Sequence, residues 1–293
     1  MDLILHSIRM RLPGGWLCPS VALLWVVLLV PSPARAADQG WIQFELKGGH
    51  VTVPSRVGDQ SGYAVIDTGA SAVAVNENLA AKLNLKVSRR KIAQIAGVTG
   101  TAVRPIYRRV SVNLFGADFE FKDITDMSAG DDALQLLVGG PILRRFIFQF
   151  DYPNSRLRAL PRKALKLNKI SNIESKRDSR GGKLPVVRVT LNDQAELWLA
   201  MDTGNSGGLL ISRQVAERHG WLAEFDVQDG FIGGVNGIAA TQSFVLPVLG
   251  FGPVTLEDVT VIVPADGVDL PAVGDGRAWQ RAYWAMTFCS TLS

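Results

Sequence analysis

Tyr63-Ala64-Val65-Ile66-Asp67-Thr68-Gly69-Ala70-Ser71 returns in the second half of the chain as Leu197-Trp198-Leu199-Ala200-Met201-Asp202-Thr203-Gly204-Asn205-Ser206. In both stretches an apolar strand runs into Asp-Thr-Gly-x-Ser, and the two Asp residues lie 135 positions apart. After each comes a second apolar run, Val73-Ala74-Val75 or Leu209-Leu210-Ile211. A short amphipathic helix is predicted next, opened by Asn76 in one copy and Ser212 in the other, both side chains suited to capping free N–H groups. Leu79, Ala80 and Leu83 mark its buried face, with Val215, Ala216 and His219 at the same stations in the second copy. A second match follows: Ile95 to Ala102 aligns with Ile232 to Ala239, with Gly97 and Gly100 answered by Gly234 and Gly237. Both read as glycine-tipped hairpins. Their central glycines lie 30 and 32 residues beyond the respective Asp. Two motifs recurring in the same order at matching intervals identify an internal duplication.

The remaining sequence frames this repeat. A hydrophobic fraction of 47% with 20% charged residues is the profile of a packed globular protein. Residues 1–36 read as a cleavable export signal: Arg9 and Arg11 precede the apolar run Trp16 to Val30, and Ala34-Arg35-Ala36 supplies the small-x-small cleavage pattern. The expected location is therefore periplasmic or secreted, with no stable membrane insertion after cleavage. Loss of Arg9, Arg11, Arg35 and Asp2 lowers the formal charge from +4 to +2, which gives no case for a nucleic-acid partner. Cys18 lies in the signal and Cys289 near the end, so the mature chain has no disulfide framework. Pro161 to Lys183 carries eight Lys or Arg against Glu174 and Asp178 and reads as a solvated linker. Strands are expected over Trp41 to Val53, Arg109 to Phe121, Phe146 to Leu160, Leu184 to Leu191, Phe244 to Leu249 and Val254 to Val263. The fold class is mainly β, with two or three short helices.

Two Asp-Thr-Gly loops suit one kind of chemistry. Carboxyl groups held about 3 Å apart cannot both ionise, so one keeps its proton as an acid while the other acts as base on a shared water. Glycine permits a tight loop against the carboxylate, and the Thr hydroxyl can lock one loop to the other. Together these residues resemble the aspartic proteases, and the retroviral-type (retropepsin-like) branch more than the pepsin type. Ala70 follows the first Asp-Thr-Gly, as in many retroviral-type enzymes, and both copies carry a hairpin where pepsin-type proteins have one. Leu137-Val138-Gly139-Gly140-Pro141-Ile142-Leu143 matches the family's closing signature, a strand crossing behind the Asp loop. The resemblance implies two tandem β-barrel lobes, residues 38–160 and 184–293. It implies an endopeptidase acting on polypeptides, with Asp67 and Asp202 as the catalytic pair. Thr68, Gly69, Thr203 and Gly204 would support the loops, and Gly97, Gly100, Gly234 and Gly237 would form the flaps. No cofactor or metal is implied, and one chain would be a monomer with an internal pseudo-dimer.

Other readings carry less. Gly204-Asn205-Ser206-Gly207-Gly208 fits the serine-hydrolase elbow, but the mature chain offers only His50 and His219 for a triad. Tyr107, Trp198 and Trp221 sit in apolar contexts and read as core, Asp131 and Asp132 as solvated loop. A different class remains open, a retropepsin-like binding or assembly module without turnover. It draws weight from the C-terminus, where Arg277 to Ser293 has no strand pattern and no second closing signature. Yet reading forward by two bases, whatever the codons, Ala282-Tyr283 gives Leu, Ile or Val, Tyr283-Trp284 gives Leu and Trp284-Ala285 gives Gly. Met286-Thr287 then gives Asp, Thr287-Phe288 an apolar residue and Phe288-Cys289 Leu. The forced apolar-Leu-Gly-x-Asp-apolar-Leu parallels residues 137–143. The expectation is a frameshift shortly before Ala282, leaving the second lobe without its central strand and the chain poorly active.

Overall fold

A computed structural model describes residues 40–128, 131–166, 169, 173–177 and 183–265, together with the backbone of 282–285. Residues 1–36, read as an export signal, and Cys289 lie outside the described residues.

The first lobe begins with β1 (Ile42–Gln43), β2 (Glu45–Lys47), β3 (His50–Val57), β4 (Gln60–Ile66) and β5 (Val73–Asn76). Helix α1 (Glu77–Lys82) follows, then β6 (Val87–Gly97), β7 (Gly100–Leu114), β8 (Ala117–Met127) and β9 (Leu134–Val138). A short α2 (Gly140–Leu143) leads to β10 (Phe146–Asp151) and β11 (Arg156–Pro161). The second lobe repeats this order with β12 (Ser175–Arg177), β13 (Pro185–Leu191), β14 (Ala195–Asp202) and β15 (Leu209–Ile211). Helices α3 (Arg213–Arg218) and α4 (Trp221–Glu224) come next, then β16 (Gln228–Gly234), β17 (Gly237–Phe251), β18 (Val254–Pro264) and β19 (Ala282–Ala285). The two eight-stranded sheets have one topology: β2-β3-β4-β9-β5-β8-β7-β6 and β12-β13-β14-β19-β15-β18-β17-β16. Added pairings, β3 with β7 and β13 with β17, curl each sheet toward closure. Strands β1, β11 and β10 make a separate three-stranded sheet.

Alternation along the strands builds each core. In β13 the side chains of Val187, Val189 and Leu191 enter the second-lobe cluster while Arg188 points out to Glu174 and Glu196. The predicted caps form: Asn76 Oδ1 accepts from the N–H of Asn78 at 2.8 Å, and Ser212 Oγ accepts from Val215 at 3.4 Å. Trp221 is fully buried, whereas His219 closes the end of α3 and stacks on that ring.

Several expectations are corrected. The run Arg109 to Phe121 is two strands, because Phe115 and Gly116 take positive φ and turn the chain into a hairpin. Trp41 to Val53 is likewise divided at Gly48 and Gly49, at φ +58° and +82°. Inside the basic segment, Ser175–Arg177 is an edge strand on β13. It has no apolar alternation because its inner contact is the Lys176 ammonium set over the half-buried Trp198 ring, 3.8 Å from the centroid. Most consequential, the backbone of Ala282–Ala285 lies between β14 and β15, as β9 lies between β4 and β5. The central position of the second lobe is therefore filled, against the expectation of a missing strand. The rest of the segment 277–293 lies outside the described residues.

Candidate active site

Asp67 follows β4 directly, its N–H donating to Val138 O at 3.1 Å, so the core strand β9 fixes the loop behind it. Asp202 ends β14 and pairs with Ala285 of β19. The loops meet across the lobe interface, each carboxyl lying against the other loop's glycine, so that the two groups feel each other's charge. Glycine is required at both loops for close approach: a Cβ on Gly69 would strike the Asp202 carboxyl, and one on Gly204 the Asp67 carboxyl.

The threonines exchange bonds in a nearly two-fold pattern. Thr68 N–H donates to Thr203 Oγ1 at 3.1 Å, and Thr203 N–H donates to Thr68 Oγ1 at 3.0 Å. Each hydroxyl then donates to the opposite strand, Thr68 to Met201 O and Thr203 to Ile66 O, both at 2.5 Å. Thr203→Val would leave the Ile66 carbonyl and the Thr68 amide without partners at a buried position. We expect a loss of about 2–4 kcal/mol in stability, read by urea unfolding.

The surroundings of the carboxyls are not symmetric. Asp67 Oδ1 accepts two backbone N–H bonds, from Gly69 and Ala70, each 2.8 Å. Asp202 Oδ1 accepts one from Gly204 at 2.8 Å, with a smaller contribution from the Gly69 N–H across the interface. Burial pushes both pKa values up. For Asp67 this is opposed by the hydrogen bond from Asp202 and by the two backbone donors. Asp202 is raised well above the ordinary carboxyl range, first by burial and then by the negative charge of Asp67 beside it.

His50 was read from the sequence only as a failed triad member, yet the structure sets it beside this site. The tip of the β2–β3 hairpin packs on the second Asp loop, Gly49 against Ser206, and His50 follows that tip with its Nδ1 buried. Burial lowers the imidazole pKa, with smaller opposing effects from Asp67 and a Gly204 backbone hydrogen bond. The folded state therefore binds this proton less well than the unfolded chain, and stability is lost as pH falls through about 6.5. Leu184 occupies the matching place in the second lobe, two residues before a valine paired as Thr52 is. His50→Leu is accordingly expected to raise Tm relative to the parent increasingly below pH 6.5, in scanning calorimetry. The comparison of copies, His against Leu, was the signal that could have found it.

The flaps also come together. Gly97 pairs with Gly100 and Gly234 with Gly237, and the loops between them are Val98-Thr99 and Val235-Asn236. Gly100 and Gly237 take φ of +108° and +118°, where a side chain would be strained. Gly97 and Gly234 are needed for closeness, since an added Cβ would lie 2.9 Å from Val235 Cγ2 and 2.8 Å from Thr99 Oγ1. Ser206, the elbow-like serine, faces Gly49.

Residues 53–145 match the family described as "gag-polyprotein putative aspartyl protease", and residues 187–273 match the family described as "Aspartyl protease". One similar solved structure is the crystal structure of a retropepsin-like aspartic protease from Rickettsia conorii. It is 26% identical, with 41% of this chain and 86% of that chain covered and a TM-score of 0.27. No curated protein matches the chain. Two aspartyl-protease domains thus stand in tandem. Each lobe carries its own match to an aspartyl-protease family.

Proposed function

We propose that this chain is an aspartic endopeptidase whose single active site is completed within one chain by Asp67 and Asp202. The observation that carries the reading is the close approach of two buried carboxyls from separate lobes, each against the other loop's glycine and held by the threonine exchange beneath them. Asp67, with two backbone donors, is the ionised base; Asp202 keeps the proton and is the acid. Water between them loses a proton to Asp67 as its oxygen bonds to the scissile carbonyl carbon, and Asp202 protonates the carbonyl oxygen. In the second step the C–N bond breaks, the amine nitrogen takes the proton held by Asp67, and a hydroxyl proton returns to Asp202. The products are one new carboxyl and one new amine. Polypeptide is the substrate class, and no second copy is needed for turnover. The apolar leader with Ala34-Arg35-Ala36 supports export, with action in the periplasm or outside the cell.

The competing reading is a binding or assembly module that keeps the fold without turnover. Casein and a peptide library incubated with the full chain at acidic pH separate the two. Cleavage that disappears in Asp67→Asn supports the enzyme. Peptide binding without any cleavage, unaffected by that substitution, supports the module.

A further inference from the structure

We propose that Arg104 is a positioning residue that latches the second flap onto the first lobe, making the two flaps unequal and leaving the first as the gate of the cleft. The proposal rests on the endopeptidase reading for its purpose, but not for its test. Arg104 lies on β7, four residues beyond the first flap's Gly100, and its side chain is only 17% exposed. One guanidinium nitrogen, Nη2, donates to Val235 O at the tip of the opposite flap, 3.1 Å away. The other, Nη1, donates to Glu77 Oε2 at 3.1 Å and lies 3.7 Å from Asp126 Oδ1. Asp126 is held in turn by the Tyr107 hydroxyl, which donates to Oδ2 at 3.0 Å. The planar fork is thus fixed on one side by a carboxylate from α1 and aimed on the other at a backbone carbonyl.

The duplication provides the internal control. Strand registers place Thr241 where Arg104 stands, Val263 where Asp126 stands and Phe244 where Tyr107 stands, and the helix after the cap gives Arg213 for Glu77. The position of Arg104 is thus held in the second lobe by a threonine, which cannot span the distance that the guanidinium does. Apolar cross-packing is reciprocal: Val98 packs on the second lobe with Leu210 and Ile262, and Val235 packs on the first with Ala74, Met127 and Leu137. The polar contacts are one-sided. Asn236 Nδ2 donates to Ile95 O at 3.0 Å and to Gly100 O at 2.8 Å, gripping both strands of the first flap. Asn236 N–H also donates to Thr99 Oγ1 at 3.3 Å, and flap separation breaks all three bonds whichever flap moves. Among the described residues the first flap then gives up apolar contact with the opposite lobe, whereas the second must also surrender a charge-assisted bond. The first flap opens more easily.

Hydrogen exchange of the full chain without substrate tests this, since it needs no turnover. Peptides spanning 230–241 are expected to exchange roughly tenfold more slowly than those confined to the first flap, 95–102, the order of one hydrogen bond to a charged group. Arg104→Met should raise exchange in 230–241 by about that factor while leaving 60–66, in the core strand, unchanged. Arg104→Lys keeps charge beside Glu77 but lacks the second nitrogen, and serves if the Met variant does not fold. In peptide hydrolysis the Met variant should raise KM about fivefold with kcat within about twofold, because a closed flap contributes uniform binding. Equal exchange of the flaps in the parent overturns the latch, as does unchanged exchange in 230–241 of the variant. An inactive parent whose flap exchange follows this pattern would sink the enzyme reading and leave the latch standing.

Discussion

Asp202→Asn is expected to lower kcat by about 10³-fold or more while making the protein more stable at neutral pH than the parent. The loss follows from chemistry rather than shape. An asparagine amide can still donate a hydrogen bond to Asp67, so the loops stay joined through Thr68 and Thr203. It cannot release a proton to the scissile carbonyl at any working pH. Asp67→Asn should be as severe, since no ionised carboxylate then remains to accept the proton of water. Activity of the parent should follow a bell in pH. Its acid limb reports ionisation of the pair's first proton, and its alkaline limb the loss of the second, beyond the ordinary carboxyl range because burial and Asp67 hold it there. Retained turnover in Asp202→Asn would instead favour dimers built from first lobes.

The stability gain comes from the same burial with its sign followed through. Both carboxyls have folded pKa values above the ordinary 3.8, so the folded state holds protons that the unfolded chain has released. Stability of the parent therefore falls as pH rises from about 3.8 through the raised values. Below that window the pair is protonated in both states and the effect vanishes. Asn is neutral throughout, so Asp202→Asn removes the steeper part of the slope. Melting curves of parent and variant should nearly coincide at pH 3 and separate progressively toward pH 7, the variant higher. Coincident curves at pH 7 would show that the carboxyls are not desolvated as described.

What the sequence made legible depended on whether a residue's role repeats. Asp67, Thr68 and Gly69 recur as Asp202, Thr203 and Gly204, so a self-comparison picks out the two loops that the structure brings together and both glycine-tipped hairpins. Strand identity was readable where one face is apolar, as in Val187, Val189 and Leu191, and unreadable at Ser175–Arg177, whose inner contact is a lysine ammonium over an indole. Turn positions such as Phe115 were missed because a bulky residue at positive φ gives no compositional warning. His50, Arg104 and Asn236 were passed over for the opposite reason: each is a difference between copies. Their roles depend on which carbonyl or carboxylate the other lobe presents, which spacing along one chain does not encode.

The second large effect is expected at β19, where the residue types rather than the backbone depart from the first lobe. Ile66 pairs with Val138, and the next residue, Gly139, cannot carry a side chain: a Cβ there would strike Ala72 O and lie 2.6 Å from Ala70 O. In the second lobe Met201 pairs with Trp284, which puts Ala285 at the register of Gly139. The reading frame two bases forward must encode Leu and then Gly from Tyr283-Trp284-Ala285, whatever the codons. Laid on this strand, those residues fall opposite Met201 and at the position that needs glycine. The agreement between a register taken from backbone pairing and a string forced by the genetic code is why we expect a shifted frame before Ala282. At the Gly139 position a Cβ forced against backbone would cost about 1–3 kcal/mol. Leu136, Val138 and Ile142, fully or almost fully buried in the first lobe, each contribute about 1.5–3 kcal/mol. A gene re-encoded in the forward frame from Ala282 should therefore give a protein melting about 10 °C higher than the chain as written. It should also cleave peptides at least about tenfold faster, since β19 backs the Asp202 loop as β9 backs that of Asp67. Sequencing the gene and comparing the two proteins decides it: a stop codon in the forward frame before the forced Leu, or equal melting and turnover, would mean that Ala282–Ala285 is the native strand.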